Sequence, residues 1–362
     1  MITKNRVYGL DLMRSVAMMC VILAHSGYVV INGMRYGIVA VESFFVVSGF
    51  LIGGILIRDF KEEVNVSTVT HFWKKRWFRT LPLYYAVLLL KFLLVDPSIG
   101  WNIMYYFFFL QSNFYGIQYM NVSWTLVVEE WFYLLIPFFF ILFFRKGITA
   151  KRFYLLIALF VIANNLLKYF WVLKTNYGYG AMVGNFVFRM DSNLIGVALA
   201  GLRYFNKDIF EKLADWKIFA VSFLGMALLF IQFSIDGGGT NDVQLQSVWV
   251  RTIWFSLVSL LVACMIPFFF SAPVFAPKEG RQPFRWLITW ISLLSYPIYL
   301  IHVEVYAYLN SNLEFLSTLH PLLKFMFNNS VVVILAIVLY FAIDKPVLDY
   351  RSKILKSSKI KS

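Results

Sequence analysis

The stretch Arg14-Ser-Val-Ala-Met-Met-Cys-Val-Ile-Leu-Ala-His25 places an ionisable side chain at each end of a nearly apolar run. An ionisable group in hydrocarbon costs about 2.5 to 3.5 kcal/mol on insertion scales, so such residues usually face a cavity or a partner. At about 100° per residue the two side chains project from nearly the same helix face, roughly 16 Å apart along the axis. The pattern predicts a membrane helix with a permanent cation near one leaflet and a titratable base near the middle.

The composition agrees with a membrane protein. Of the 362 residues, 60% are hydrophobic and 14% are charged, and the mean hydropathy is +0.71. We therefore expect an all-α polytopic membrane protein. The net charge of +14 comes from basic residues between apolar runs, so topology explains it and nucleic-acid binding is not predicted. Cys20 and Cys264 both lie in apolar spans, which gives no disulfide framework.

The chain contains ten apolar spans, and an eleventh candidate is interrupted by polar residues. The ten lie near 8–30, 38–57, 80–95, 122–144, 153–173, 182–201, 217–234, 247–271, 286–308 and 321–343. If the interrupted segment 101–119 does not cross, most Lys and Arg residues fall on one side of the membrane. The positive-inside rule therefore favours ten spans with both termini cytoplasmic, and it leaves 101–119 re-entrant or along the outer interface. We expect a transmembrane domain over 1–344 and a basic cytoplasmic tail over 345–362.

Two early motifs each leave two interpretations open. Ser48 and the glycine after it, near the middle of the second span, form either a small-residue packing notch or part of a site. The stretch His71-Phe-Trp-Lys-Lys-Arg-Trp-Phe-Arg-Thr-Leu-Pro82 is typical of an amphipathic helix at the membrane interface. In the sharper interpretation, Arg76 and Arg79 share a helix face and bind phosphates through paired hydrogen bonds.

Charged residues in later spans predict partners. Glu129 and Glu130 are adjacent and cannot share a helix face, so at least one should face a cavity or a cation. Arg189 and Asp191 are two residues apart, which predicts that each has a partner on another helix.

The ninth span contains Ser295-Tyr-Pro-Ile-Tyr-Leu-Ile-His-Val-Glu304. Pro297 is expected to break or kink this helix. His302 within it is more typical of a histidine satisfied by helix contacts than of a site residue.

With these motifs in order, the chain resembles the acyltransferase 3 family of membrane proteins. The matching elements are Arg14 with His25, Phe44-Phe-Val-Val-Ser-Gly-Phe-Leu, Arg76-Trp-Phe-Arg-Thr-Leu-Pro, Trp124-Thr-Leu-Val-Val-Glu with Phe132-Tyr133, and Ser295-Tyr-Pro-Ile-Tyr-Leu-Ile-His. Glu42 stands where the family usually has Asp, and Asp344-Lys-Pro stands where Glu-Arg-Pro is usual. Some relatives append an extracytoplasmic hydrolase domain. This chain has a basic tail instead, so we expect it to finish the transfer or to pass the acyl group to a separate protein.

The resemblance implies transfer of an acyl group, most often acetyl, from cytoplasmic acyl-CoA to a hydroxyl of a cell-surface or lipid-linked carbohydrate, in a bacterial inner membrane. His25 is the expected general base, because a neutral imidazole can take the hydroxyl proton. Glu129 would orient that imidazole or hold the acceptor. Arg14, Arg76 and Arg79 would meet the phosphates of CoA. No metal is expected.

Three further residues are assigned to the path of the donor or the sugar. Ser48, Trp124 and Tyr299 are expected along that path, with Tyr296 beside them, although belt or packing roles suit the aromatic residues equally well.

Two other functions remain open. One alternative is a small-molecule acyltransferase of the same fold. The other is a transporter or flippase of polysaccharide precursors, but the internal repeats usual in transporters are not found in this sequence.

Overall fold

The computed structural model describes residues 6–27, 37–62, 66–144, 147–175, 178–236, 247–275 and 283–359, and these residues are helical without any strand. Ten long helices follow the order of the ten predicted spans. They are α1 (Tyr8–His25), α2 (Gly37–Glu62), α3 (Val66–Leu94), α4 (Trp124–Phe144), α5 (Ala150–Lys174), α6 (Phe186–Phe205), α7 (Trp216–Ile235), α8 (Trp254–Ser271), α9 (Pro283–Asn312) and α10 (Pro321–Leu339). A π-helical turn, Tyr340–Asp344, joins α10 to α11 (Lys345–Lys359).

Within the described ranges, nine helices are long and apolar enough to cross a membrane. The tenth long helix, α6, falls outside that group because it carries Arg189, Asp191 and Arg203. Two of these three side chains, Arg189 and Asp191, are fully buried in protein. The expectation of an all-α polytopic membrane protein is confirmed, and the cytoplasmic position of both termini stays a prediction.

The interrupted segment 101–119 contains no helix of crossing length. The segment and the residues next to it fold into four short helices, Pro97–Asn102, Ile103–Phe107, Gln111–Phe114 and Asn121–Ser123. Six residues rise only about 9 Å in an α-helix, whereas the hydrocarbon is about 30 Å thick. The segment therefore does not cross as a helix, in agreement with the positive-inside argument.

The structure narrows one local expectation and corrects another. Helix α9 continues through Pro297, so the proline does not break it, and a kink at Pro297 stays a prediction. Helix α1 ends at His25, because Gly27 adopts a left-handed backbone conformation with φ of 66° and the Ser26 amide closes the last turn on Ile22. His25 therefore lies at the end of its helix and not near the middle of a longer span. The remainder of the predicted span, 28–30, lies outside the described residues.

The chain divides into two compact units. The first comprises residues 1–64 and 135–292, and the second comprises 65–134 and 293–362. In the first unit α2 and α6 approach each other backbone to backbone at glycines. A Cβ atom on Gly49 would lie 2.0 Å from the carbonyl oxygen of Asn193, and one on Gly196 would lie 2.2 Å from that of Val46. The small-residue notch predicted beside Ser48 is thus a real packing contact.

In the second unit, the predicted basic tail begins as an ordered helix. The amide of Lys345 donates to the carbonyl of Tyr340, five residues back, which closes the π-helical turn. Pro346 has no amide hydrogen, and a wider turn just before it accommodates the missing hydrogen bond. Helix α11 then packs on α3, where Arg351 Nη1 donates to the carbonyl of Lys75 at 3.1 Å. Residues 360–362 of the predicted tail lie outside the described residues.

Candidate active site

Arg76 is the centre of a polar cluster between α3 and α4 in the second unit. Its guanidinium lies 3.8 Å from Glu129 Oε2, donates to the hydroxyl of Tyr133, and stands 3.9 Å from the centroid of the Tyr133 ring. The side chains of Arg76 and Glu129 are 18% and 17% exposed, so the pair is partly accessible. Glu129 therefore faces a cation, which confirms the prediction that at least one of the two adjacent glutamates faces a cavity or a cation.

Glu130 points in a different direction from Glu129, as their adjacent helix positions require. Thr80 on α3 donates to Glu130 Oε1 at 2.7 Å, and Tyr296 on α9 donates to the Thr80 carbonyl at 2.7 Å. The second carboxylate oxygen of Glu130 is buried and accepts no hydrogen bond within the described residues. Sequence reasoning gave this glutamate no role, although its adjacency to Glu129 was the available signal.

Tyr299 lies against the first turn of α4. Its hydroxyl donates to the carbonyl of Val122 at 3.1 Å and accepts from Thr125 at 2.9 Å. Trp124, the first residue of α4, is half-buried and directly precedes Thr125 in the sequence. His302 Nδ1 lies 2.8 Å from the Tyr299 carbonyl, so it is a histidine held by its own helix, as expected.

Arg79 lies one turn after Arg76 and is half-buried. It is within electrostatic range of Asp344, which is also within range of Arg351 on α11. Arg351 is in turn within range of Arg76. The predicted pair Arg76 and Arg79 is therefore part of a larger group of arginines at the junction of α3 and α11, which we call the arginine cluster: Arg76, Arg79 and Arg351.

The segment before α4 is fixed to the second unit by buried tyrosines and one lysine. Lys91 near the end of α3 pairs with Glu304 on α9 and donates to the Tyr119 carbonyl. Burial raises the pKa of Tyr106 and of Tyr119 to about 12. Both hydroxyls therefore stay protonated near neutral pH, and that of Tyr119 donates to the Asp96 carbonyl at 2.7 Å.

Arg14, His25 and Ser48 lie in the first unit. His25 Nδ1 is 3.0 Å from the carbonyl of Val21, one turn back on α1. Because a carbonyl can only accept, Nδ1 carries the proton in this contact, and Nε2 is the basic nitrogen of the neutral ring. His25 is exposed, while Arg14 on the same helix and Ser48 on α2 are half-buried.

The first unit also contains two fully buried ion pairs, which we call the buried pairs. Arg189 on α6 pairs with Glu42 on α2, and Lys168 Nζ on α5 lies 2.6 Å from Asp191 Oδ2 on α6. All four side chains are 0% exposed. The prediction that Arg189 and Asp191 have partners on other helices is confirmed. Lys168 was missed, although a single cation inside the apolar span 153–173 was the signal for it.

Hydroxyl groups add hydrogen bonds to the buried carboxylates, although Asp191 Oδ1 accepts none within the described residues. Glu42 Oε2 accepts from Ser192 at 2.7 Å and from Ser259 at 3.1 Å. Ser256 on α8 donates to Asp191 Oδ2. Among the described residues, no group of three or more His, Cys, Asp or Glu side chains could hold a metal ion. Cys20 and Cys264 are free thiols.

Comparison with known proteins places this chain among acyltransferases. A Staphylococcus aureus (strain NCTC 8325 / PS 47) protein named O-acetyltransferase OatA is 25% identical over 336 residues, which cover 84% of this chain and 51% of the relative. A protein of strain COL named "Putative O-acetyltransferase SACOL0978" is 24% identical over 362 residues, or 93% of this chain and 56% of the relative. The chain thus spans about half the length of the curated relatives it matches. No solved structure matches it. The family model Acyl_transf_3, described as "Acyltransferase domain", matches residues 7–343. The chain therefore belongs to the acyltransferase 3 family.

Proposed function

We propose that this protein transfers an acetyl group from acetyl-CoA to a hydroxyl of a cell-surface or lipid-linked carbohydrate at the bacterial inner membrane. The observation that carries the proposal is that His25 is exposed and also makes the contact between Nδ1 and the Val21 carbonyl, whereas His302, which makes the same kind of contact, is fully buried. The contact fixes which nitrogen of the His25 ring carries the proton. It leaves Nε2 free of the proton in the neutral ring, as a general base requires. Membership of the acyltransferase family and the names of the relatives support acyl transfer to oxygen.

In the proposed reaction, His25 Nε2 takes the proton of the acceptor hydroxyl as its oxygen attacks the thioester carbonyl. The new C–O ester bond forms and the C–S bond breaks, and the proton on the imidazolium passes to the CoA thiolate. Proton transfer by a positioned base contributes typically about 10² to 10⁴ in rate. A carbohydrate hydroxyl is a poor nucleophile near neutral pH, so this contribution is essential.

The donor would be held by its phosphates. Arg76 and Arg79 offer guanidinium groups with the planar geometry that phosphate oxygens accept in pairs. Glu129 and Tyr133 fix the orientation of Arg76 by direct contact, so Glu129 acts in this proposal by positioning that arginine. Arg14, on the same helix as His25, is assigned to phosphate or acceptor contact, and Ser48, Trp124 and Tyr299 to the path of the donor or the sugar.

The direct test is transfer of radiolabelled acetyl from acetyl-CoA to an extracted glycan fraction by membranes that contain the protein. We expect wild-type membranes to label the glycan, and His25→Ala membranes with the same protein level to label it at least a hundredfold more slowly. His320→Asn is the matched control, because His320 is exposed and its side chain only caps α10 by accepting from the Leu322 amide.

Two results would contradict the proposal. Wild-type turnover by His25→Ala would remove the assigned base. Movement of unlabelled glycan precursor across the membrane, without acetyl incorporation by the wild type, would favour a transporter instead.

A deletion strain tests the acceptor class. Loss of O-acetyl groups from its surface polysaccharide would identify carbohydrate as the acceptor, whereas loss of an acetylated small molecule would replace carbohydrate in the proposal.

A further inference from the structure

Helix α11 is attached to α3 within two turns of Arg76 and Arg79. Arg351 Nη1 donates to the Lys75 carbonyl at 3.1 Å, and the rings of Phe78 and Tyr350 lie 6.4 Å apart. Lys75 directly precedes Arg76, and Phe78 directly precedes Arg79. The tail helix therefore lies along the part of α3 that carries the two arginines.

Helix lengths place this junction near one boundary of the membrane. The hydrocarbon is about 30 Å thick, which corresponds to about 20 helical residues. Helix α3 has 29 residues, and the candidate membrane-spanning helix Pro321–Ile354 has 34. Counted from Leu94 and from Pro321, about 20 residues of hydrocarbon end near Lys75 and near Phe341 respectively. The first count puts Arg76 and Arg79 at the end of the hydrocarbon stretch of α3, where the helix meets headgroups and water. The second count leaves Arg351, about ten residues beyond Phe341, outside the hydrocarbon.

The charges at the junction favour an anion that comes from outside the protein. Three guanidinium groups lie within electrostatic range of one another or of Asp344, and Lys74 and Lys75 adjoin them. The carboxylates facing them are Asp344, which is shared by two arginines, Glu129 beside Arg76, and Glu130, which accepts from Thr80. Arg76 Nε is buried with no acceptor among the described residues. A guanidinium has five N–H donors in a fork that suits phosphate oxygens.

We propose that Arg351, on the C-terminal helix, is the third arginine of a phosphate-binding site formed with Arg76 and Arg79, and that the phosphates are those of the CoA nucleotide. This inference rests on the proposed function for the identity of the donor. The Lys75 carbonyl holds Arg351 by one nitrogen, which leaves the opposite edge of the guanidinium to contact the ligand. Asp344 is within electrostatic range of both Arg79 and Arg351. Its negative charge offsets the repulsion between the two guanidinium groups before the ligand binds.

The test compares Arg351→Ala and Arg351→Lys with Lys353→Ala as the matched control. Lys353 is an exposed cation on the same helix, so its removal changes the charge of α11 without touching the junction. We expect Arg351→Ala to raise the KM for acetyl-CoA about tenfold, which equals about 1.4 kcal/mol. Arg351→Lys should give a smaller increase, because it keeps the charge and loses the fork. The KM for the acceptor and the behaviour of Lys353→Ala should stay unchanged.

Comparison with 3′-dephospho-acetyl-CoA identifies which phosphate is bound. If the tenfold effect of Arg351→Ala disappears with this donor, the 3′-phosphate is the ligand, and if it persists, the diphosphate is. An equal rise in the KM for donor and acceptor, or no rise in either, overturns the proposal. A variant that fails to elute as a monodisperse protein is replaced by Arg351→Lys, on which the same ratio of KM values is measured.

Two further measurements separate phosphate sources and separate this inference from the proposed function. Titration calorimetry with CoA itself, in nanodiscs of phosphatidylcholine, needs no turnover. Weaker CoA binding by Arg351→Ala supports the site even if no carbohydrate is ever acetylated, while unchanged CoA binding with intact acetyl transfer overturns the site alone. If the difference between wild type and variant appears only with phosphatidylglycerol in the disc, the ligand is a lipid headgroup and the assignment to CoA is wrong.

Discussion

The buried pairs of the first unit and the arginine cluster of the second use the same residue types in opposite ways. The buried pairs match two cations with two carboxylates, and all four side chains are inaccessible. Arg76 and Glu129 in the second unit keep 18% and 17% of their side-chain surface exposed, and arginines there share carboxylates. Intramembrane charge is often taken as a sign of function. The two clusters differ in accessibility: the buried pairs have no exposed side-chain surface, whereas Arg76 and Glu129 keep surface that a ligand could contact.

The buried pairs act as fixed connections among α2, α5, α6 and α8. Serine hydroxyls from α6 and α8 donate to their carboxylates, and the glycine contacts bring α2 and α6 to backbone distance. A buried ion pair contributes little net stability, because desolvation offsets most of the attraction, but removing one partner leaves an uncompensated charge. Their role is therefore tested by separating the partners.

The largest expected effect is on folding of the first unit. Arg189→Met should lower the free energy of unfolding by about 3 to 5 kcal/mol, since Glu42 would stay buried without its cation. The double variant Glu42→Leu/Arg189→Met should recover most of that loss, because both charges are removed together. Thermal unfolding of the purified protein in detergent measures both. A double variant as unstable as the single one would mean that the pair does more than balance charge.

An intermediate effect is expected at Arg76, and it should appear in catalysis and not in folding. Arg76→Lys keeps the charge but loses the planar fork, so the KM for acetyl-CoA should rise about tenfold, or about 1.4 kcal/mol, with little change in the KM for the acceptor. Lys74→Ala is the control, because Lys74 is an exposed cation two residues away. Loss of thermal stability in Arg76→Lys, of the size expected for Arg189→Met, would erase the contrast between the two clusters.

The smallest effect is expected at an exposed ion pair. Lys207 and Glu211 lie 3.2 Å apart, with side chains 75% and 54% exposed. Exposed pairs of this spacing contribute little, so Lys207→Ala should change the free energy of unfolding by less than about 0.5 kcal/mol and leave acetyl transfer unchanged. This small change in the free energy of unfolding, measured by the same thermal unfolding assay, gives the lower reference for the two larger effects. A change above about 1 kcal/mol would show that side-chain exposure alone does not determine how much an ion pair contributes to stability.

Local sequence rules predicted the helices well because they depend on chain-local properties. Apolar run length placed all ten long helices in order, and residue spacing showed that Arg189 and Asp191 could not pair with each other. The rules could not identify the partners, because Glu42 and Lys168 are 147 and 23 residues away from them. Helix periodicity gives a face, and only tertiary packing decides which helix that face meets.

The candidate site was predicted in part, for the same reason. The arginines of α3 and the glutamates of α4 were found from motifs, and their contact with each other is a tertiary fact. Gly27 ends α1 at His25, and this was missed because an apolar run does not reveal a single left-handed residue. The helical state of residues 345–359 was also missed, because its many charges resemble a solvated tail until α3 covers one side.

The π-helical turn Tyr340–Asp344 makes the site tolerant of one change in chain length. In a regular α-helix each residue advances the helix by about 100°, so an inserted residue would turn everything after it away from α3. The turn takes up one extra residue locally, because it closes on the residue five back instead of four. A relative with a single-residue deletion here would close a regular α-helical turn and keep the counterpart of Arg351 at the Lys75 carbonyl. Alignments of this region should therefore treat a one-residue gap inside the turn as a smaller change than the same gap elsewhere in α10 or α11.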